Sequence, residues 1–166
     1  MAASAVPEPA VPRSAVPDPA VPDPAVPRPV VPEDAARTGA AGRVLRGLAA
    51  LHTVAGYGQP VFAGVYLSGA YDGLGWHLAG ANAVTSLGYL QLIAAVVLWF
   101  RSRLGWPLVG TALVVIAETV QYFAGLDGAL WLHLPLGVAT IVGLTVLTLG
   151  LLRVPLPGRG PAVRGE

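Results

Sequence analysis

The chain has 166 residues, 54% of them hydrophobic and only 11% charged, with a formal net charge of +1. A soluble globular domain carries about 25% charged residues, so there is too little charge here to clothe a soluble fold. Cysteine is absent, which excludes a disulfide framework, a thiolate metal site and a cysteine nucleophile.

Residues 1–34 hold ten of the sixteen prolines in a five-residue repeat: VPEPA, VPRSA, VPDPA, VPDPA, VPRPV, VPEDA. Proline at nearly every second or third position removes backbone donors and pushes its neighbours to extended conformations. The spacing predicts a disordered tail over 1–36, populating polyproline II, with no packed core. Its charges are Glu8, Asp18, Asp23, Glu33 and Asp34 against Arg13 and Arg28. Such a strip serves as a solvated spacer or as a docking site for a cytoplasmic proline-recognising protein. Met1 is followed by no basic and then apolar stretch, so no secretory signal peptide is expected.

Four apolar stretches follow, at about 44–70, 77–100, 105–125 and 130–152. Each is near or above the roughly 20 residues that cross a hydrocarbon core, and backbone in lipid must satisfy itself as helix. The first is the least apolar, because it contains His52, Gln59, Pro60 and several glycines. Short connectors favour antiparallel neighbours. The expected fold is all-α: a four-transmembrane-helix up-down bundle over 44–153, behind the proline-rich tail and before a short flexible C-terminal tail at 154–166.

Arginine placement orients the bundle. Arg37 and Arg43 precede the first span and Arg46 lies at its start, Arg101 and Arg103 separate the second and third, and Arg153, Arg159 and Arg164 follow the fourth. The other two connectors carry Asp72 and Asp127 and no basic residue. By the positive-inside rule both termini are cytoplasmic and the acidic turns face outward, in a multi-pass protein of the bacterial cytoplasmic membrane. Tyr71, Trp76 and Trp131 fall at the outer boundary and Trp99 and Trp106 at the inner one, as aromatic belts require. The use of arginine in place of every lysine, with the Ala, Gly, Val and Pro bias, fits a GC-rich bacterial genome.

The two halves share a pattern. Gln59 to Gly64 (QPVFAG) leads to an acidic turn, then Trp76 and His77; Gln121 to Gly125 (QYFAG) leads to an acidic turn, then Trp131 and His133. This suggests a parallel repeat of helical hairpins.

Ionisable and hydrogen-bonding groups inside the spans carry the functional question. At 100° per residue, His52, Gly56, Gln59, Ala63 and Tyr66 share one stripe of the first helix. His77, Gly80, Ala81, Val84, Gly88 and Gln91 share one on the second, Thr111, Glu118, Gln121, Tyr122 and Gly125 on the third, and His133, Gly137, Thr140 and Leu144 on the fourth. Small residues permit close packing, and Gln, Thr and Tyr tie helices together, which explains most of each stripe. His77 and His133 open parallel helices at matching depth, so their imidazoles can converge across the interior. Each is followed four residues later by a small residue, Ala81 or Gly137, which leaves room for a flat macrocycle. Two neutral imidazoles between apolar walls are the donor set of haem b; interfacial hydrogen bonding is the plainer use of the same pair. His52 lies toward the cytoplasmic end, at least ~15 Å from them in depth by helical rise. Glu118, the single acidic residue within a span, is expected neutral and proton-sharing, supported by Gln121 and Tyr122.

Other signatures are missing. The lysine-free chain has no phosphate-binding GK loop, no HExxH and no GxSxG, and its basic residues flank spans instead of forming a nucleic-acid patch. The segments QPVFAGVYLSGAYDGLGWHLAGAN and LWLHLPLGVA give the core, about 44–153, its likeness: it resembles small four-helix membrane proteins of actinobacteria whose role is uncharacterised. More loosely, at His77 and His133 alone, it is similar to membrane b-type cytochromes and haem A synthase, which implies paired histidine ligands to haem. Those proteins are larger, with further histidines and longer external loops.

Three function classes follow: a haem-binding protein using His77 and His133, a small transporter or accessory subunit using Glu118 for proton handling, and a non-catalytic scaffold whose tail recruits a partner. The lipid bilayer is the one partner common to all three, and an enzyme is the less expected outcome.

Overall fold

The computed structural model describes residues 38–156. The proline-rich tail expected over 1–36 lies outside the described residues, as do all but the first three residues of the expected C-terminal tail. Four helices make up nearly all of the rest: α1 (Ala40–Leu67), α2 (Asp72–Ser102), α3 (Trp106–Leu126) and α4 (Leu130–Arg153). No strand occurs among the described residues, where the only β-type pairing is an isolated bridge at Thr38. Three of the helices, α2, α3 and α4, are long and apolar enough to cross a membrane. At 28 residues α1 has the length, but the polar and glycine content already evident in its sequence keeps it out of that set.

Local chemistry sets the helix ends. Proline near the start of α3 suits a first turn whose N–H groups have no intrahelical acceptor. Asp72, expected in the turn, is instead the first residue of α2, where a carboxylate favours the positive end of the helix dipole. His77 therefore lies more than a turn inside α2. The two acidic turns bend through glycines with positive φ, Gly69 at 94° and Gly128 at 71°, a backbone that only glycine adopts without strain. At the other end Arg103 takes φ 58° as the C-cap of α2. A side chain in that region costs about 1–2 kcal/mol, offset in part by its guanidinium lying 5.8 Å from the centre of the Trp99 ring.

α1 packs on α2 and α4, and α3 packs on the same two, so α1 faces α3 and α2 faces α4 across the interior. The half of the bundle near the arginines is solid: Leu45 and Ala49 of α1, Ala95 and Leu98 of α2, Val114 of α3 and Leu144, Leu147 and Leu151 of α4 form one core. Leu156, in the segment expected to be flexible, is fully buried in it, with its carbonyl accepting the Gly39 N–H at 2.9 Å. Aliphatic side chains point outward along every helix, among them Val54, Ile93, Leu113, Ile116, Val138 and Val146, each about three-fifths or more exposed. A surface of this kind suits hydrocarbon and would aggregate in water.

Polar clasps tie the helix seams. Thr53 and Thr148 hydroxyls meet at 2.8 Å between α1 and α4, and the Tyr122 hydroxyl donates to Asn82 Oδ1 at 2.8 Å between α3 and α2. Each such bond contributes about 0.6 kcal/mol within a membrane. The strongest clasp is at the arginine end, where Arg46 donates from Nε to the Leu151 carbonyl at 2.7 Å and from Nη2 to the Val154 carbonyl at 2.8 Å. Leu151 is in the last turn of α4 and Val154 is its C-cap, where carbonyls have no intrahelical donors. Arg46→Ala is therefore expected to cost about 1.5–3 kcal/mol. The measurements are a lowered thermal midpoint in detergent and faster amide exchange confined to the last turn of α4.

Candidate functional site

Between the acidic turns and the solid half, the bundle is hollow. A cavity of about 430 Å³ is lined from all four helices. The stripe expected on α1 lines it completely, through His52, Gly56, Gln59, Ala63 and Tyr66. α2 adds His77, Ala81 and Val84, α3 adds Glu118, Gln121, Tyr122 and Gly125, and α4 adds His133, Gly137, Thr140 and Leu144. The cavity also touches Leu67, Leu74, Leu126 and Leu130 beside the acidic turns, all more than half exposed, so its mouth lies at that end. Gln91, Gly80, Gly88 and Thr111, expected on the same stripes, stand behind the wall; Gln91 and Thr111 are fully buried.

Two groups of polar residues occupy different levels. In the upper group the rings of His77 and His133 lie with centroids 6.0 Å apart and planes at 81°. His77 Nδ1 lies 3.1 Å from the Gln59 carbonyl of α1, and His133 Nδ1 lies 2.9 Å from the Gln121 carbonyl of α3. A carbonyl only accepts, so each Nδ1 carries the hydrogen and each neutral ring keeps its lone pair on Nε2. The halves thus match in three dimensions: the glutamine of the first helix of each hairpin fixes the histidine of the second. Gly125 makes this possible on α3, because a Cβ there would stand 2.9 Å from His133 Nδ1 and Cε1.

This arrangement can be tested against a metal centre. Two imidazoles bound to one metal ion at about 2.0–2.1 Å place their ring centroids roughly 5–6.5 Å apart, and 6.0 Å falls within that range. Ligating histidines almost always donate the other ring N–H to a carbonyl or carboxylate, as both do here. No cluster of three or more His, Asp or Glu suited to a metal ion occurs among the described residues, so a closed all-protein zinc site does not fit. Two nitrogens beside a mostly apolar, partly glycine- and alanine-lined space do fit a haem, which brings its other four nitrogens with it.

The lower group is one that the sequence did not bring together. His52 Nε2 lies 3.3 Å from Glu118 Oε1, both residues buried. His52 Nδ1 donates to Gln91 Oε1 at 3.0 Å, and Gln91 Nε2 donates to the Thr111 hydroxyl at 3.4 Å. With the Nδ1 hydrogen committed to Gln91, one further proton is shared between Nε2 and the carboxyl. The pair is either imidazole with carboxylic acid or imidazolium with carboxylate, and is neutral overall in both forms. Gly88 on α2 leaves space for the carboxyl, since a Cβ there would stand 2.7 Å from Glu118 Oε2.

The support expected for Glu118 from Gln121 and Tyr122 is not what the structure shows. Tyr122 donates to Asn82 on the outward side, and the Gln121 amide lies against Gly137. Helical side chains lean toward the N-terminus of their helix, so the carboxyl of residue 118 points away from positions 121 and 122, one turn above it. That lean also carries it toward the level of His52.

One polar atom in the cavity wall has no partner: Gln59 Oε1 is buried and accepts no hydrogen bond. A buried acceptor of this kind calls for a donor from water or a bound molecule. It stands between the two groups, on the helix that supplies His52 below and the carbonyl holding His77 above.

No protein-family model, curated protein or solved structure matches the chain.

Proposed function

We propose that the chain is a four-span, up-down membrane bundle that binds haem b between α2 and α4 through His77 and His133. The observation that carries this reading is the matched pair of imidazoles, each oriented by a backbone carbonyl, at the wall of a cavity of about 430 Å³. Haem held in this way supplies one-electron redox chemistry. The chain's part would be to hold both rings in one tautomer through the Gln59 and Gln121 carbonyls, and to wall the group with apolar and small side chains. Binding here without catalysis suits an electron-transfer or cofactor-handling role.

Four spans rather than three are supported by the way α1 completes the bundle: it carries one wall of the cavity and the carbonyl for His77. Residue pairs along each seam run in opposite order, as Arg46 with Leu151 and Tyr57 with Thr145 on α1 and α4, which favours alternating directions. Arg43, Arg46, Arg101, Arg103 and Arg153 on one side, with Asp72 and Asp127 on the other, favour the bacterial cytoplasmic membrane with both chain ends in the cytoplasm.

The test is the visible spectrum of full-length protein expressed with haem supplied and purified in detergent. A Soret band at one haem per chain is expected; a colourless protein, folded by circular dichroism, would end the reading.

A further inference from the structure

Glu118 and His52 take no part in holding a ligand at the histidine pair, yet they are the most deeply buried ionisable groups beside the cavity. Burial of a histidine and a carboxyl in contact, with the histidine's second nitrogen fixed by Gln91, is costly unless the pair stays neutral. Neutrality is what the shared proton provides. The same low-dielectric surroundings make the pair sensitive to any charge placed nearby, because little solvent screens it.

Such a charge arises at the upper group. Along α3, Glu118 is three residues from Gln121, whose carbonyl orients His133, a rise of only about 4.5 Å. Along α1, His52 is seven residues from Gln59, whose carbonyl orients His77, or about 10 Å. One electron delivered to the histidine-held site adds one negative charge to the same cavity that His52 and Glu118 line.

We propose that the His52–Glu118 pair is a proton-binding site coupled to reduction: it gains one proton when the His77–His133 site gains one electron. This rests on the haem reading. The balance is one electron from an external one-electron donor to the metal, and one proton from water at the acidic-turn mouth to the pair. The shared hydrogen and the incoming one then leave His52 with N–H bonds at both nitrogens and Glu118 as the neutral acid. On oxidation the extra proton returns by the same route. Gln59 Oε1, the unpartnered acceptor between the levels, is the atom at which a relaying water would donate.

Among the described residues, no competing ionisable group faces the pair at its own level. α2 presents Gln91 and Gly88 there, and α4 presents Thr140 and Leu144. Tyr122 lies a turn above on α3 but commits its hydroxyl to Asn82. The remaining ionisable groups on the cavity are His77 and His133 themselves and Tyr66 near the mouth.

The experiment is redox potentiometry of the haem-loaded full chain as a function of pH, followed by absorbance. The wild-type potential is expected to fall as pH rises, by up to about 59 mV per unit for one proton per electron. Glu118→Gln and, separately, His52→Gln should flatten that slope while keeping the Soret band. Redox-difference infrared spectra of the wild type add a readout that needs no variant: a carboxylic C=O band should appear or move on reduction, as Glu118 gains the proton or its neighbour His52 does, and that difference band should shift on ¹³C-glutamate labelling. A pH-independent wild-type potential, a slope that survives Glu118→Gln, or the absence of any glutamate-sensitive carboxylic difference band would overturn the coupling and leave the haem reading standing. A wild type with no Soret band would overturn both.

Discussion

The His77→Ala/His133→Ala variant, expressed with haem supplied, is expected to be colourless, with its helical content and detergent elution unchanged. Both rings are partly exposed to the cavity and neither belongs to the packed core, so the fold does not depend on them. Each single variant should keep a weakened and spectrally altered complex, because one ligand remains fixed by its carbonyl. The sharper version leaves both ligands in place. Gly125→Val introduces a Cβ that would stand 2.9 Å from two atoms of the His133 ring. The ring must turn away and give up its bond to the Gln121 carbonyl. Loss of such an orienting contact typically lowers metal affinity by about 10–100-fold. Gly64→Ala is the control, since a Cβ there meets nothing within 4 Å. Haem titration of the three proteins separates the cases: equal affinity in Gly125→Val and wild type would show that the oriented ring contributes nothing.

Stability should respond most to the lower group. Glu118→Leu leaves His52 Nε2 buried beside an apolar side chain, and His52→Leu strands both the carboxyl and the Gln91 amide oxygen. Breaking a buried ion pair from one side costs about 3–5 kcal/mol. The double Leu variant removes both polar ends together and is expected to cost much less than the sum of the two. Reversible unfolding in mixed micelles measures the cycle; a sum within about 0.5 kcal/mol of additive would mean that the two residues are independent.

Much of this architecture is legible in the sequence because it depends on hydrophobic runs and rotation about an axis. The four helices start and end within a few residues of their apolar stretches, and the stripe from His52 to Tyr66 lines the cavity as its angular positions require. The convergence of His77 and His133 also follows from pattern, since both sit at equal depth on facing helices. The His52–Glu118 contact does not. Counted from the apolar stretches at 44–70 and 105–125, rise per residue leaves His52 nearer the arginine end than Glu118. What closes the gap is the early start of α1 at Ala40, the reach of two long side chains, and the lean of Glu118 toward the start of α3. Side-chain reach of this kind leaves no periodic trace. Burial of Leu156 was equally hidden, because one apolar residue among prolines and glycines carries no pattern.

The matched hydrogen bonds to Gln59 and Gln121 have a consequence for symmetry. If those two glutamines are superimposed by a two-fold rotation of the hairpins, their hydrogen bonds bring His77 onto His133, and the histidine pair is reproduced by the operation. The lower pair is not. The position equivalent to His52 is Val114, and the one equivalent to Glu118 is Gly56. Two identical α1–α2 hairpins brought together as a homodimer would therefore own both imidazoles and no carboxyl beneath them. The histidine pair follows the pattern shared by the two hairpins, whereas the His52–Glu118 contact depends on residues at which the two halves of the chain differ.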